Sequence, residues 1–419
     1  MDKETLKRMI LEQKEIFEQE KRIVDRAFPE KLLTTPKIII ITGIRRCGKS
    51  TLLRQIARSY TTYGYFNFED ERLLDFTYKD FNVLLEAFLE LHADLKVLFF
   101  DEIQNIGGWE KFARRLFSEG YKLFITGSNA QLLSSEIATA LTGRNLKLEL
   151  FPFSFVEYLH YHHFLIKAIY TTKEIAEISR LLQDYICEGG FPEMVKSKDS
   201  EELTEIYQDI IIKDLLVRFA IRDSKDFREL ALYLLSNISQ KISFNNIKNL
   251  LHFSTTSKVK NYMDFLSEAY LLFAVFKYEY SIKKQIKNDR KIYAIDSGLI
   301  NAIAFSFGKE QGKLLENIVF LELKRRKLEI YYYYGKKECD FVIKKGVNII
   351  QAIQVAVHLE QPETRERELQ GLQEAMEKFR LAEGVIITMN EENSIVLNQK
   401  KIFIIPLWKF LIRTEKLTS

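Results

Sequence analysis

The spacing of apolar residues changes at about residue 37. Over residues 1–34 apolar side chains recur at helical intervals among many charges, which predicts a helix packed on the next domain or on a neighbouring subunit. From residue 37 onward, short apolar runs alternate with helical patterns, which is typical of an α/β fold with a mostly parallel sheet. The runs predict strands over residues 37–42, 63–68, 95–100, 122–126 and 146–151.

The remaining chain has three further patterns. Residues 155–225 are predicted to be helical on both sides of the turn EGGFPEM at 188–194. Residues 226–300 predict three short helices and then a hairpin. From about residue 310 the pattern predicts a helix, three strands, a charged amphipathic helix and two final strands.

Composition narrows the class of protein. The chain has 419 residues, of which 47% are apolar and 29% charged, as in globular proteins of two or three domains. The net charge is only +4, so any basic surface must be local. Cys47, Cys187 and Cys339 are too widely spaced for a disulfide framework or a zinc motif. With neither a membrane-length apolar run nor a signal peptide, we expect a soluble, cytoplasmic protein.

A phosphate-binding motif follows the first strand. Residues 43–50, GIRRCGKS, fit G-x-x-x-x-G-K-[ST] between a strand and an apolar-periodic helix, a context that makes a chance match the weaker interpretation. Backbone N–H groups of such a loop bind phosphate oxygens, Lys49 would contact the β- and γ-phosphates, and Ser50 would ligate Mg²⁺. The predicted nucleotide-binding residues are Gly43, Ile44, Arg45, Arg46, Cys47, Gly48, Lys49, Ser50 and Thr51.

Polar residues at the ends of later strands complete the predicted site. Asp101 would hold the Mg²⁺ through water, and Glu102 would act as general base on the attacking water. Ser128 and Asn129 follow the next strand and would contact the γ-phosphate or that water. Arg144 could contact a phosphate in its own subunit or across an interface, with a surface salt bridge as the alternative.

These motifs resemble a known family. GIRRCGKST, FFDEIQNIGGWE, ITGSNA and LTGR followed by LELFPFSFVEY are similar to the AAA-type ATPases of bacteria and archaea that carry a C-terminal, restriction-endonuclease-like domain of unknown function. The resemblance implies a P-loop NTPase with sheet order 5-1-4-3-2, a helical lid and ATP hydrolysis at the interfaces of a homo-oligomer. It also implies a sensor role for Asn129 or Ser128 and an arginine role for Arg144.

The pattern over residues 227–300, helices followed by wing strands over 271–278 and 291–295, predicts a winged helix. The resemblance and the patterns along the chain together give the expected domains. They are an N-terminal helical segment (1–34), the ATPase core (35–160), the lid (161–225), a winged helix (226–305) and a PD-(D/E)XK-like α/β domain (306–419).

The expected winged helix carries a local excess of positive charge, net +4 over residues 277–291, which is suited to a DNA backbone. The alternative is a protein-binding winged helix whose lysines are merely solvated. The predicted DNA contacts are Lys258, Lys260, Lys283, Lys284 and Lys287.

The last domain has an incomplete nuclease pattern. Glu316, Asp340 and Gln354 stand where such a core places its metal-binding acids, but the second acid and its lysine are missing around Gln354. A degenerate fold used for binding or assembly is as consistent with this as an active nuclease.

Three functions follow from the whole chain. The first is a Mg²⁺-dependent ATPase that couples hydrolysis to conformational change, acting on or with DNA. The alternatives are a nucleotide-gated switch or scaffold without motor activity, and an ATP-dependent nuclease.

Overall fold

The computed structural model describes residues 1–19, 24–128, 141–304 and 311–413. The chain forms two compact units, Met1–Phe151 and Pro152–Ser419. Within the described ranges, no helix is both long and apolar enough to cross a membrane.

A five-stranded parallel sheet forms the centre of the first unit. Its order is β2-β3-β4-β1-β5, so the predicted order 5-1-4-3-2 is confirmed. The four isoleucines of β1 are fully buried, because a parallel sheet is covered on both faces. The elements are α1 (Lys3–Gln19), α2 (Lys31–Thr34), β1 (Ile38–Thr42), α3 (Lys49–Ala57), β2 (Gly64–Asn67), α4 (Phe81–Leu91), β3 (Val97–Asp101), α5 (Trp109–Ser118), β4 (Lys122–Gly127) and β5 (Asn145–Glu149).

Helix α1 packs against the chain that follows it, which was the first of the two predicted arrangements. Leu6, Met9 and Ile10 are buried in the same apolar cluster as the side chains of α4. Lys3 and Lys7 both pair with Glu90 on α4, at 2.6 Å. The N-terminal segment is therefore part of the core of the first unit.

Helices form the start of the second unit. The predicted turn at 188–194 covers the junction between two of these helices, and it packs closely against the segment around residues 296–298. The backbone N–H of Gly190 donates to Asp296 Oδ2 at 2.6 Å, and a Cβ added at Gly298 would lie 2.0 Å from the Glu188 carbonyl oxygen. The helices are α6 (Phe155–Tyr161), α7 (Thr172–Glu188), α8 (Pro192–Ser197), α9 (Glu201–Asp209) and a π-helix (Ile210–Val217).

The middle of the second unit contains a small antiparallel sheet of order β6-β8-β7. A short helix, α13, stands between β7 and β8 where the sequence predicts a plain hairpin. The elements are α10 (Ser224–Ser236), β6 (Lys241–Ile242), α11 (Phe244–Leu250), α12 (Thr256–Glu268), β7 (Leu272–Phe276), α13 (Ile282–Lys287), β8 (Arg290–Ala294) and α14 (Ser297–Ile303).

The last part of the chain forms a mixed sheet of order β13-β14-β12-β11-β10-β9. The predicted helices and strands are present, and the edge strand β13 and the short final helix α17 are additional. Only partly buried, β13 lacks the continuous apolar run that marks a central strand. The elements are α15 (Gln311–Arg325), β9 (Glu329–Tyr334), β10 (Glu338–Lys345), β11 (Asn348–Val355), α16 (Pro362–Lys378), β12 (Glu383–Thr388), β13 (Asn393–Leu397), β14 (Lys400–Pro406) and α17 (Leu407–Ile412).

Candidate functional site

The loop between β1 and α3 requires its two glycines. A Cβ added at Gly43 would lie 2.1 Å from the carbonyl oxygen of Leu150, which would force the backbone to move. Gly48 has φ +98° immediately before α3, a left-handed conformation that other residues rarely adopt. The loop therefore wraps tightly around the N-terminus of α3, where backbone N–H groups and the helix dipole favour an anion.

Lys49 lies at the centre of this loop and is buried, with 5% of its surface exposed. Its Nζ donates to the carbonyl oxygens of Gly43 and Ile44, at 3.3 and 3.2 Å, and lies 3.3 Å from Glu102 Oε1. Burial alone would lower the pKa of Lys49, but attraction by Glu102 and Asp101 outweighs it and the pKa is raised. The side chain is therefore a fixed positive charge.

Asp101, the last residue of β3, is held by neighbours on both sides. Thr126 on β4 donates to Asp101 Oδ1, Tyr65 on β2 donates to Oδ2 at 3.1 Å, and Ser50 also bonds to the carboxylate. Burial and the nearby charge of Glu102 raise the pKa of Asp101. The carboxylate thus points at the hydroxyl at the start of α3.

Glu102 connects β3, β4 and the loop. Its backbone has φ +51°, an uncommon conformation for glutamate, and its N–H donates to Thr126 Oγ1 at 3.0 Å. Its carboxylate accepts from Gln104 and from the backbone N–H of Ser128, the latter at 3.1 Å. Burial opposes the charge, but Lys49 and Gln104 lower the pKa of Glu102 below its usual value. The carboxylate is therefore ionised, as a general base must be.

The donor set at this site fits a magnesium nucleotide. The Ser50 hydroxyl and the Asp101 carboxylate are hard oxygen ligands suited to Mg²⁺. Across the described part of the chain, no group of three or more His, Cys, Asp or Glu is arranged to hold a metal ion. A magnesium ion held by these two residues would take its remaining ligands from water and from phosphate oxygens.

Arg26 is a buried part of the site that no sequence motif marks. Its guanidinium donates to the Cys47 carbonyl oxygen at 2.8 Å and to the Phe151 carbonyl oxygen at 2.7 Å. The Gln55 side chain on α3 bonds to the backbone N–H and C=O of Arg26. Arg26 therefore ties the phosphate loop to α3 and to the last residue of the first unit, which makes it a positioning residue.

Replacing Arg26 with alanine is expected to weaken ATP binding about 10-fold, because the loop loses two buried hydrogen bonds that hold its shape. Turnover at saturating ATP should change much less, since these two hydrogen bonds of Arg26 go to the carbonyl oxygens of Cys47 and Phe151 and not to the proposed base. Isothermal titration and steady-state kinetics would separate the two effects. Arg58→Ala, an exposed arginine just after α3, is the control. A lower turnover with unchanged affinity would contradict this role.

The structure places the other predicted residues of the first unit as follows. Arg45 pairs with Glu69 at 2.7 Å, and Arg46 has φ +62°. Ser128 lies next to Glu102 through its backbone N–H, and Asn129 lies outside the described residues. Arg144 precedes β5, and its carbonyl oxygen accepts from Ile38 at the beginning of β1. Arg144 therefore lies at the end of the sheet where β1 and β5 begin, whereas the phosphate loop lies at the opposite end, where β1 stops. This position does not support a role in the nucleotide site of its own subunit.

One of the predicted DNA contacts has acidic partners within the chain. Lys258 pairs with Asp223 at 2.7 Å and with Asp226 at 3.0 Å, two acids around the start of α10. Those hydrogen bonds raise its pKa, so its charge is used within the chain. The start of α10, which carries the two acids, lies beside the N-terminal end of α12, which carries Lys258. Folding therefore brings together charges that are more than thirty residues apart in sequence. The remaining predicted contacts are exposed, and they are Lys260, Lys283, Lys284 and Lys287.

The three residues of the incomplete nuclease pattern do come together. Gln354 Oε1 accepts from the backbone N–H of Asp340 at 3.2 Å. Glu316 and Asp340 both contact the ammonium group of Lys291, at 2.9 Å. Lys291 comes from β8, outside the expected domain, and motif spacing could not have found it.

The fold and the phosphate loop define an AAA-type P-loop NTPase. Residues 35–159 match a family described as an AAA domain. Residues 179–310 and 311–410 match two domains of unknown function, DUF8612 and DUF4143, and neither description names a nuclease core.

The chain belongs to the family of uncharacterized protein MJ1544 from Methanocaldococcus jannaschii, with 38% identity over 98% of this chain and 96% of that protein. An uncharacterized protein from Haemophilus influenzae is 31% identical over 78% of this chain and 84% of its own length.

Similar solved structures include the Walker-type ATPase Paby2304 of Pyrococcus abyssi, with a TM-score of 0.41 and 14% identity over 68% of this chain and 99% of that one. Cdc6p from Pyrobaculum aerophilum has a TM-score of 0.27 and 14% identity over 69% of this chain and 96% of that one. At this similarity neither structure bears on what the present chain binds.

Proposed function

We propose that this protein is a Mg²⁺-dependent ATPase that couples hydrolysis to conformational change and acts with DNA. The observation that carries the proposal is the position of Glu102, whose carboxylate lies 3.3 Å from Lys49 and 3.1 Å from the backbone N–H of Ser128. An ionised base beside the phosphate-binding lysine is suited to hydrolysis, because nucleotide storage needs no base.

Each residue has one task in this proposal. Lys49 and the N–H groups of the loop bind the β- and γ-phosphates, and Ser50 and Asp101 hold Mg²⁺, which offsets phosphate charge. Phosphate oxygens compete with Glu102 for the ammonium group of Lys49. Glu102 can then accept a proton from the attacking water at its carboxylate. Asn129 is proposed to contact the γ-phosphate.

Arg144 suits a role across a subunit interface. Because it lies at the end of the sheet opposite its own phosphate loop, its position favours contact with a neighbour's nucleotide over its own. We propose that the protein forms a homo-oligomer in which Arg144 stabilises charge on the phosphates of the adjacent subunit.

The DNA-binding part of the proposal rests on residues 224–294. Their order of helix, strand, two helices and two strands, with the short helix α13 between those last strands, supports a winged helix. Lys283, Lys284 and Lys287 are exposed on α13, between the two strands that form the wing. Three lysines on one short helix suit contact with a phosphate backbone. We propose this helix as the main DNA contact, with Lys260 as a further one.

DNA is expected to raise the ATPase rate, and changing the three lysines of α13 to glutamate should remove that increase while leaving the basal rate unchanged. The rate would be measured by phosphate release with single-stranded, duplex and branched DNA. The control variant changes three exposed lysines outside this region to glutamate and so alters the net charge by the same amount. They are Lys173, Lys345 and Lys378. A basal rate that no DNA alters would contradict the DNA role and favour the nucleotide-gated switch.

A further inference from the structure

A lysine is completely enclosed among carboxylates in the second unit. Lys291 on β8 is 1% exposed, and its Nζ lies 2.9 Å from Glu316, 2.6 Å from Glu338 and 2.9 Å from Asp340. Glu316 comes from α15, while Glu338 and Asp340 come from β10. One ammonium group therefore joins three elements that are distant in sequence.

The carboxylate cluster has further partners within the chain. Tyr293 donates to Glu316 Oε1, the oxygen that also contacts Lys291, at 2.7 Å, and the backbone N–H of Val355 donates to Asp340 Oδ2 at 3.0 Å. Lys241 pairs with Glu338 Oε2 at 2.8 Å. Buried carboxylates are stable only when paired and hydrogen-bonded, and protein groups meet that requirement here.

The chemistry of lysine matches the arrangement. An ammonium group has three N–H donors and no acceptor, and it faces three carboxylates. Burial opposes its charge, but Asp340 and Glu316 raise the pKa of Lys291 well above its usual value. Burial and the charge of Asp340 raise the pKa of Glu316, while Lys291 and the hydrogen bond from Tyr293 act in the opposite direction.

We propose that the ammonium group of Lys291 is the resident cation of this cluster and takes the place that a divalent metal ion would have in a nuclease. The cluster then needs no metal, and its task is to hold β8 on α15 and β10. This inference concerns the second unit and does not depend on ATP hydrolysis.

Removing the ammonium group tests the proposal. Lys291→Ala leaves the largely buried Glu316 and Asp340 without their cation and Glu338 with Lys241 alone, so its melting temperature should fall by on the order of 10 °C. Millimolar Mn²⁺ should restore much of that loss by entering the space, and adding Asp340→Asn should abolish the restoration. Scanning fluorimetry without nucleotide measures each step, with Asp101→Asn present throughout to silence the nucleotide site.

Two results would overturn the proposal. One is a Lys291→Ala protein as stable as the parent chain. The other is that the chain with Lys291 intact binds Mn²⁺ and that Asp340→Asn abolishes this binding. Should Lys291→Ala not fold, the variant Lys291→Met with Glu316→Gln and Asp340→Asn decides, because it removes the cation and two of its three acids together, while Glu338 keeps Lys241 as a partner. Folding of that variant supports charge compensation, and failure to fold contradicts it.

Discussion

Glu102→Gln should bind ATP with nearly unchanged affinity and hydrolyse it about 10²- to 10⁴-fold more slowly. Glutamine preserves the shape of the side chain and can still accept from Gln104 and the Ser128 backbone, but it cannot take a proton from water. Equilibrium binding of a fluorescent ATP analogue and single-turnover phosphate release would measure the two effects separately.

Glu69→Gln is the matched control for this change. Glu69 also lies beside the phosphate loop, where it pairs with Arg45, but its side chain is 45% exposed and does not contact Lys49. Its turnover should stay near that of the parent chain. Full hydrolysis by the Glu102 variant would assign the base elsewhere and leave Glu102 as a structural partner of Lys49.

Lys49→Ala should weaken ATP binding on the order of 100-fold, because charged hydrogen bonds to the phosphates are lost. Titration with ATP and Mg²⁺ would measure the affinity. The same change leaves Glu102 buried without its cation, so the melting temperature should also fall.

The double variant Lys49→Ala with Glu102→Gln separates these two effects. It removes the unpaired charge, so stability should return toward that of the parent chain while ATP binding stays weak. Affinity that recovered together with stability would mean that Lys49 acts through the fold and does not bind phosphate.

The first unit was the more predictable of the two. Its buried strands appear as continuous apolar runs, the phosphate loop follows from a motif that needs a strand before it and a helix after it, and the strand order was implied by the family resemblance. The same logic brought Asp101 to Ser50, since the carboxyl ends of parallel strands meet at one edge of the sheet.

Spacing was less informative where side chains from distant segments meet. Lys258 has the position of a DNA contact on its helix, yet Asp223 and Asp226 neutralise it. Arg144 follows a polar turn as an arginine finger does, but the direction of β5 places it at the far edge of the sheet.

The amino-acid sequence by itself determined the phosphate loop, the paired acids and the parallel sheet. Local backbone geometry dictates the pattern of the loop, and burial of the sheet on both faces dictates the apolar runs of its strands. Only the tertiary structure decided that Arg26 holds the loop and that Lys291 completes the carboxylate cluster. Both are buried charges whose partners lie far away in sequence, and the cost of burying a charge is met by whichever groups folding brings beside it.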